Sequence, residues 1–339
     1  MQLYSGIDLH SNKLVLGMID ETGKRMLKKN MPNDSKMVLA TLEPFRSDLV
    51  GVVVESTYNW CWLVDALMED GYQVHLSNPC ANQQYSGLKY RDDNHDAFWL
   101  ADLLRLGTLK EGFIYPKQDR PLRDLSRKRL HLVRLRTSLI LSLKGFIVRT
   151  CGVGIKTDSI KKDDINMLLR HMPTEGNIRL LIQSSKDSID FLGTQINQLE
   201  TSLLAQLKGK RLFKNLLTLP GIGKVLAWTI QLETGPISRF GKVGQYSSYC
   251  RKVQSRWTSN DKTKGKGNAK NGNKYLAWAY AEAAEQARRF YPACRQFYNR
   301  KLSKTNAAVA HHALAHKLTR AAYYVLRDNV PYDEAKLFG

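Results

Sequence analysis

Two short apolar runs near the N-terminus each end on a carboxylate, and this limits how the first third of the chain can fold. Residues 4–8 read Tyr-Ser-Gly-Ile-Asp, and Leu49–Glu55 reads Leu-Val-Gly-Val-Val-Val-Glu. Continuous apolar runs of this length are expected of strands buried on both faces. A third acidic element follows in Arg91-Asp92-Asp93-Asn94-His95-Asp96-Ala97. The i, i+3 spacing of Asp93 and Asp96 puts both on one face at the start of a helix, with Asp92 an additional acid beside them. Asp8 and Glu55 at strand ends can converge with Asp93 and Asp96 on one or two divalent ions. Mg²⁺, or Mn²⁺ in its place, is the cation this oxygen-only donor set suits.

The remaining pattern of the first 112 residues completes an α/β domain. Strands are expected over residues 4–8, 14–19 and 25–30, a helix over 35–45, a buried strand at Leu49–Glu55, a helix over 60–70, a strand over 73–76 and a helix over 95–106. An antiparallel three-strand meander followed by alternating helix and strand is the order of ribonuclease-H-like folds. That fold places metal ligands on its first strand, its fourth strand and a late helix, where Asp8, Glu55 and the Asp93–Asp96 pair fall.

Residues 113–209 change period. Leu125, Leu132, Leu139 and Phe146 recur every seven residues, as do Val133, Ile140 and Ile147, and later Ile182, Ile189, Ile196 and Leu203. Leu192 and Leu199 occupy the second heptad position. These seams predict an antiparallel coiled-coil hairpin turning within 151–173; a pair of core helices in a helical domain is the alternative. The formal net charge of +21 makes a polyanion the expected partner. Residues 117–150 hold ten Lys and Arg against two acids, so Arg127, Lys128 and Arg129 are candidates for binding a nucleic-acid backbone.

From 210 to 339 the chain reads as mainly helical. Leu219-Pro220-Gly221-Ile222-Gly223-Lys224 resembles the hairpin of a helix-hairpin-helix element. There Gly221 and Gly223 would let backbone N–H groups approach a phosphate at a helix N-terminus, with Lys224 adding charge. A plain connection between helices is the alternative. Residues 251–274 carry eight Lys and Arg against one acid and lack apolar side chains for a core of their own. An irregular loop wrapping a phosphate backbone is expected, held by Arg251, Lys252 and Arg256. Ser255 and Ser259 lie within it, and nothing local singles out either.

The five cysteines form no Cys-x-x-Cys pair, so neither a zinc ribbon nor a redox dithiol is indicated, and a reducing compartment suits them. No basic-then-apolar leader opens the sequence and no apolar run approaches ~18 residues. A cytoplasmic, nucleoid-associated protein without a membrane span is expected.

Together these motifs resemble the DEDD transposases of the insertion-sequence family numbered one hundred and ten, related to the Piv and MooV DNA invertases. The resemblance runs from Gly6-Ile7-Asp8 to the C-terminal helices. It implies a RuvC-like N-terminal domain whose acid set is Asp8, Glu55, Asp93 and Asp96, and a C-terminal transposase domain starting near Leu219. The family carries a serine in a Ser-Gly-Gly-like context ahead of a Gly-Asn/Asp-x-Tyr-Leu segment. Counting back from Gly272-Asn273-Lys274-Tyr275-Leu276 places that serine on Ser259, here followed by Asn260-Asp261, with Ser255 as second candidate. Family members are recombinases guided by a structured bridge RNA that pairs with donor and target DNA.

The resemblance therefore implies DNA and a guide RNA as partners and Ser259 as nucleophile, with the carboxylate-held Mg²⁺ expected to meet it at the reacting phosphate. Four strand transfers with one nucleophile per chain imply a dimer or tetramer, held by the heptad helices. Two other readings use the same residues differently. A RuvC-like nuclease acting through water needs the four acids but not Ser259, and a binding protein with a vestigial acid site needs only the basic surface.

Overall fold

The two runs that end on carboxylates become adjacent strands of one sheet. In the computed structural model, residues 1–82, 93–162, 176–253, 256–259, 262–266 and 271–338 are described. They divide into two compact units, Met1–Lys117 and Gln118–Gly339.

In the first unit β1 (Leu3–Leu9), β2 (Lys13–Asp20) and β3 (Arg25–Pro32) form an antiparallel meander. The chain then passes through α1 (Ser35–Leu42) to β4 (Leu49–Glu55), α2 (Cys61–Glu69), β5 (Val74–Ser77) and α3 (Asp93–Arg105). Strand order is β3-β2-β1-β4-β5, with β4 parallel to both β1 and β5. The expected strand and helix boundaries fall within about three residues of these, because apolar period and turn residues mark them locally. β1 is central, and its residues other than Tyr4 are buried. β3 is one of the two edges, and its exposed Lys28 and Lys29 deter pairing with another chain.

Gly6 and Gly17 face one another across β1 and β2. A Cβ on Gly6 would lie 2.1 Å from the Ala97 carbonyl oxygen and 2.8 Å from the Ala101 nitrogen; one on Gly17 would meet the Phe98 ring at 3.0 Å. The glycine pair is thus a trough that lets α3 seat directly on the sheet. Asp20 shapes the β2–β3 turn by accepting from Thr22 N, Thr22 Oγ1 and Lys24 N at 2.9, 2.7 and 3.0 Å.

The second unit begins with α4 (Arg120–Cys151) and, after the short α5 (Thr157–Lys162), α6 (Gly176–Leu207). α4 and α6 run antiparallel: Ile140, Leu143 and Ile147 near the end of one pack with Ile182 and Ile189 near the start of the other. Each of Ile182, Ile189, Ile196 and Leu203 is buried. The C-terminal half is α7 (Arg211–Leu216), α8 (Lys224–Thr234), α9 (Val243–Tyr249), α10 (Lys274–Phe290), α11 (Pro292–Leu302), α12 (Ala307–Asp328) and α13 (Glu334–Phe338). Leu203 and Leu207 of α6 share its core with Trp228, Tyr246, Tyr280 and Leu318, so the hairpin and the C-terminal helices form one unit.

Residues 251–274, expected as an irregular loop, instead contain a two-stranded hairpin of β6 (Arg256–Ser259) and β7 (Lys262–Lys266). Composition hid it: a ribbon held by cross-strand backbone bonds needs little apolar core, and Trp257, Thr258 and Thr263 are good strand formers. Among the described residues no helix is long and apolar enough to cross a membrane.

Candidate metal centre and nucleophile hairpin

Asp8 sits two residues beyond Gly6 and so faces the same side of the sheet, toward α3. Because Ile7 pairs with Val54, the next residues, Asp8 and Glu55, lie side by side at the carboxyl ends of β1 and β4. Asp96 precedes Ala97, the residue that contacts the glycine trough. The three carboxylates consequently feel one another. Asp8 is buried, and its pKa is pushed up to about 7, first by burial and then by the Glu55 and Asp96 charges and a hydrogen bond with Glu55. His10 acts in the opposite direction, its Nε2 lying 3.2 Å from Asp8 Oδ2. Oδ2 nevertheless accepts no well-aligned hydrogen bond.

A buried carboxylate with acidic neighbours and an unsatisfied oxygen is the environment a divalent cation would relieve, so the donor chemistry fits Mg²⁺. As they stand, no three such side chains among the described residues close into a metal cage. Asp93 opens α3, but its side chain, together with Asp92, lies outside the described residues.

Ser259 is the last residue of β6, opposite Lys262. Its side chain and that of Arg256, as well as Ser255 entirely, lie outside the described residues. What the structure defines closely is the stem of this hairpin. Gly272 has φ +94°, and a Cβ there would lie 2.5 Å from the Tyr249 carbonyl oxygen, so only glycine fits. Asn273 N donates to that same oxygen at 2.6 Å. The Asn273 side chain then caps α10, accepting from Tyr275 N at 2.8 Å and Leu276 N at 3.0 Å. The Gly-Asn pair of the C-terminal motif therefore ends the hairpin segment and starts a helix.

Asn273 has a second task, as its Nδ2 donates to Glu233 Oε2 at 2.7 Å. Glu233 is buried in α8 and also accepts from Arg127 Nε at 2.6 Å and Nη2 at 2.8 Å. Arg127 lies 4.7 Å over the Tyr275 ring. α4, α8 and α10 are thus tied at one buried carboxylate beneath the hairpin. Sequence reasoning missed Glu233, although a lone acid in the apolar run Leu-Ala-Trp-Thr-Ile-Gln-Leu-Glu-Thr signals a buried partner.

This alters how the predicted basic contacts are read. Arg127 is engaged by Glu233, and Arg129 by Glu200 at 2.6 Å, while Lys128 between them is exposed. Arg251 donates Nε and Nη2 to the Gly272 carbonyl at 3.0 and 2.7 Å. Lys252 is buried, which holds its pKa below the ordinary lysine value, and its carbonyl is 3.1 Å from His312 Nε2. Both residues brace the stem. Gly221 is a packing glycine: φ is +75°, and a Cβ would lie 2.1 Å from the Ala283 oxygen of α10. Gly223 and Lys224 are exposed at the start of α8, where backbone N–H groups face solvent.

Two regions of the chain match family models. Residues 5–151, spanning all four acids, match the DEDD transposase model of the IS110 group, described as Transposase. Residues 213–299, spanning the hairpin and its stem, match the model described as Transposase IS116/IS110/IS902 family. A relative in Pseudomonas aeruginosa, named "Probable family 20 transposase", is 24% identical over 216 residues. The alignment covers 62% of this chain and 63% of that relative's length. With both halves matched by models of the same group, the chain belongs to the IS110 transposase family.

Proposed function

We propose that this protein is the transposase of an insertion sequence, an RNA-guided recombinase that exchanges donor and target DNA strands through a serine–DNA ester. The observation that carries the reading is that the Glu55 and Asp96 charges both act on buried Asp8 at the carboxyl ends of the interior strands β1 and β4, where Asp8 Oδ2 accepts no well-aligned hydrogen bond. The strand order β3-β2-β1-β4-β5 is that of ribonuclease-H-like folds and supports a RuvC-like N-terminal unit. Asp8, Glu55, Asp93 and Asp96 would hold Mg²⁺, or Mn²⁺. When bound, it would offset negative charge on the phosphate and the departing oxygen.

Ser259 Oγ attacks the phosphorus of a DNA phosphodiester. The serine proton is lost to solvent or a base, the P–O3′ bond breaks, and the 3′ oxygen takes up a proton to leave as a free hydroxyl. The phosphoserine ester keeps the bond energy, so a 3′-OH of another strand can attack it, reseal the DNA and return the serine. Lys128, Gly223, Lys224 and Arg256 are the residues we assign to the phosphate backbones, with Arg127, Arg129, Gly221, Arg251 and Lys252 supporting them from within. Exposed Leu135, Leu141 and Val148 on α4 and Leu180 and Phe191 on α6 favour pairing of protomers through the hairpin, as a dimer or tetramer.

The test is a denaturing gel of end-labelled DNA spanning the element's junction, incubated with protein, its RNA and Mg²⁺. A heat-stable protein–DNA adduct is expected, lost in Ser259→Ala and retained in Ser255→Ala. Loss in the converse pair moves the nucleophile to Ser255. Cleaved ends free of protein in every variant would mean that water is the nucleophile.

A further inference from the structure

The C-terminal helices line a half-open cavity that the acids and the serine hairpin do not use. It measures about 730 Å³ and lies against α11, α12 and the segment leading into α13. This is within the ~300–1,000 Å³ range of small-ligand sites. Its walls combine the rings of Phe297, Tyr324 and Tyr332 with the cations of Lys301, Lys317 and Arg320.

The charge around it is mainly positive. Between Glu285 and Asp328 the sequence has nine Lys and Arg and no acid. Two acids do line the cavity, but Asp328 pairs with Arg327 at 2.7 Å and Asp333 with Lys336 at 3.9 Å. The excess is felt by the groups themselves. Burial, then Arg300, Arg320 and Lys301, hold the Lys317 ammonium below its ordinary pKa; burial, then Arg320 and His312, do the same to His316. Lys317 lies 4.8 Å from the Phe297 ring centroid, so a cation and an aromatic face are presented together. The segment that closes the cavity is fixed by Tyr332 N donating to Thr218 Oγ1 at 2.8 Å. The Tyr332 hydroxyl, by contrast, is buried without a hydrogen-bond partner among the described residues.

We propose that this cavity receives one unpaired nucleotide of a bound nucleic-acid strand. Its base lies against the Phe297, Tyr324 and Tyr332 rings, and its phosphate on Lys301, Lys317 and Arg320. Aromatic faces alone would suit any apolar ligand, and cations alone any anion; the two together match a base joined to a phosphate. A duplex hides its base faces, so the occupant is a looped-out or single-stranded position. The site depends on nucleic-acid binding but not on the serine chemistry.

The test is fluorescence anisotropy of the full chain with labelled thymidine and uridine dodecamers and the abasic counterpart of each. The base-bearing strand is expected to bind about tenfold tighter than its abasic partner, the gain from stacking one base. Tyr324→Leu should bring that ratio close to one and Tyr324→Phe should preserve it. Tyr324 is 40% exposed and packs on Tyr323 and Arg327, so a thermal melt checks that each variant keeps the fold. Lys317→Gln should weaken both strands alike and leave the ratio unchanged. The larger ratio, in the thymidine or the uridine pair, identifies DNA or RNA as the source of the nucleotide. Equal binding of base-bearing and abasic strands to the wild type, or a ratio that survives Tyr324→Leu, would overturn the proposal. Ser259→Ala should bind all four probes as the wild type does, so failure of the serine reading stays separate.

Discussion

Arg127 holds Glu233 through two parallel hydrogen bonds of 2.6 and 2.8 Å, although 106 residues separate them. The guanidinium fork matches both carboxylate oxygens, and Asn273 supplies a third donor. A carboxylate this buried is tolerable only while its partners remain. Arg127→Ala should therefore destabilise the C-terminal unit by about 3–5 kcal/mol in urea unfolding. Arg127→Lys should recover only part of this, since an ammonium cannot bridge both oxygens. Lys128→Ala, one residue along and exposed, should stay within about 0.5 kcal/mol of the wild type.

The same contrast separates binding from folding. Lys128→Gln should reduce the slope of log affinity against log salt by about one phosphate contact. Arg127→Gln should lower the folded fraction but leave the slope of the remaining folded protein unchanged. An equal fall in slope for both would mean that Arg127 leaves Glu233 for a phosphate when nucleic acid binds.

Gly6→Ala should be the more damaging of the two trough substitutions. Its Cβ would overlap a helix backbone at 2.1 Å, whereas on Gly17 it would meet the Phe98 ring at 3.0 Å and the Phe98 backbone nitrogen only at 3.2 Å. A cost of about 1–3 kcal/mol is expected for Gly6→Ala and less for Gly17→Ala. Because α3 must lift, Gly6→Ala should also lose the rise in melting temperature that Mg²⁺ is expected to give the wild type.

Asp8 makes the metal-free protein pH-sensitive. Its folded pKa of about 7 lies above the ordinary value of 3.8, so the folded state binds the extra proton between these limits. That contribution to stability is full below about pH 4 and is lost as pH rises through 7. In EDTA, Asp8→Asn should match the wild type at pH 4 and exceed it at pH 8, by at most about 4 kcal/mol. With Mg²⁺ at pH 8 the order should reverse, because the amide is a poorer ligand. Melts at pH 4, 6 and 8 give the comparison, and a difference independent of pH would show that Asp8 does not titrate in this range.

The sequence by itself determined the local elements and the candidate acids. Apolar runs, turn residues and period placed β1 to β5 and α1 to α3 closely, since backbone hydrogen bonding and burial act over neighbouring residues. The heptad positions Ile182, Ile189, Ile196 and Leu203 declared their burial in the same way. The β6–β7 hairpin was hidden because its support is cross-strand pairing, which composition does not record. Only the tertiary structure decided that Gly6 and Gly17 form one trough and that Gly221 serves packing. It also decided that Arg127 and Lys128, alike in charge and adjacent in sequence, have different tasks. Position along a helix sets the direction of each side chain, but which of the two meets a buried carboxylate depends on what packs there. Here that is Glu233, brought by a helix about a hundred residues away.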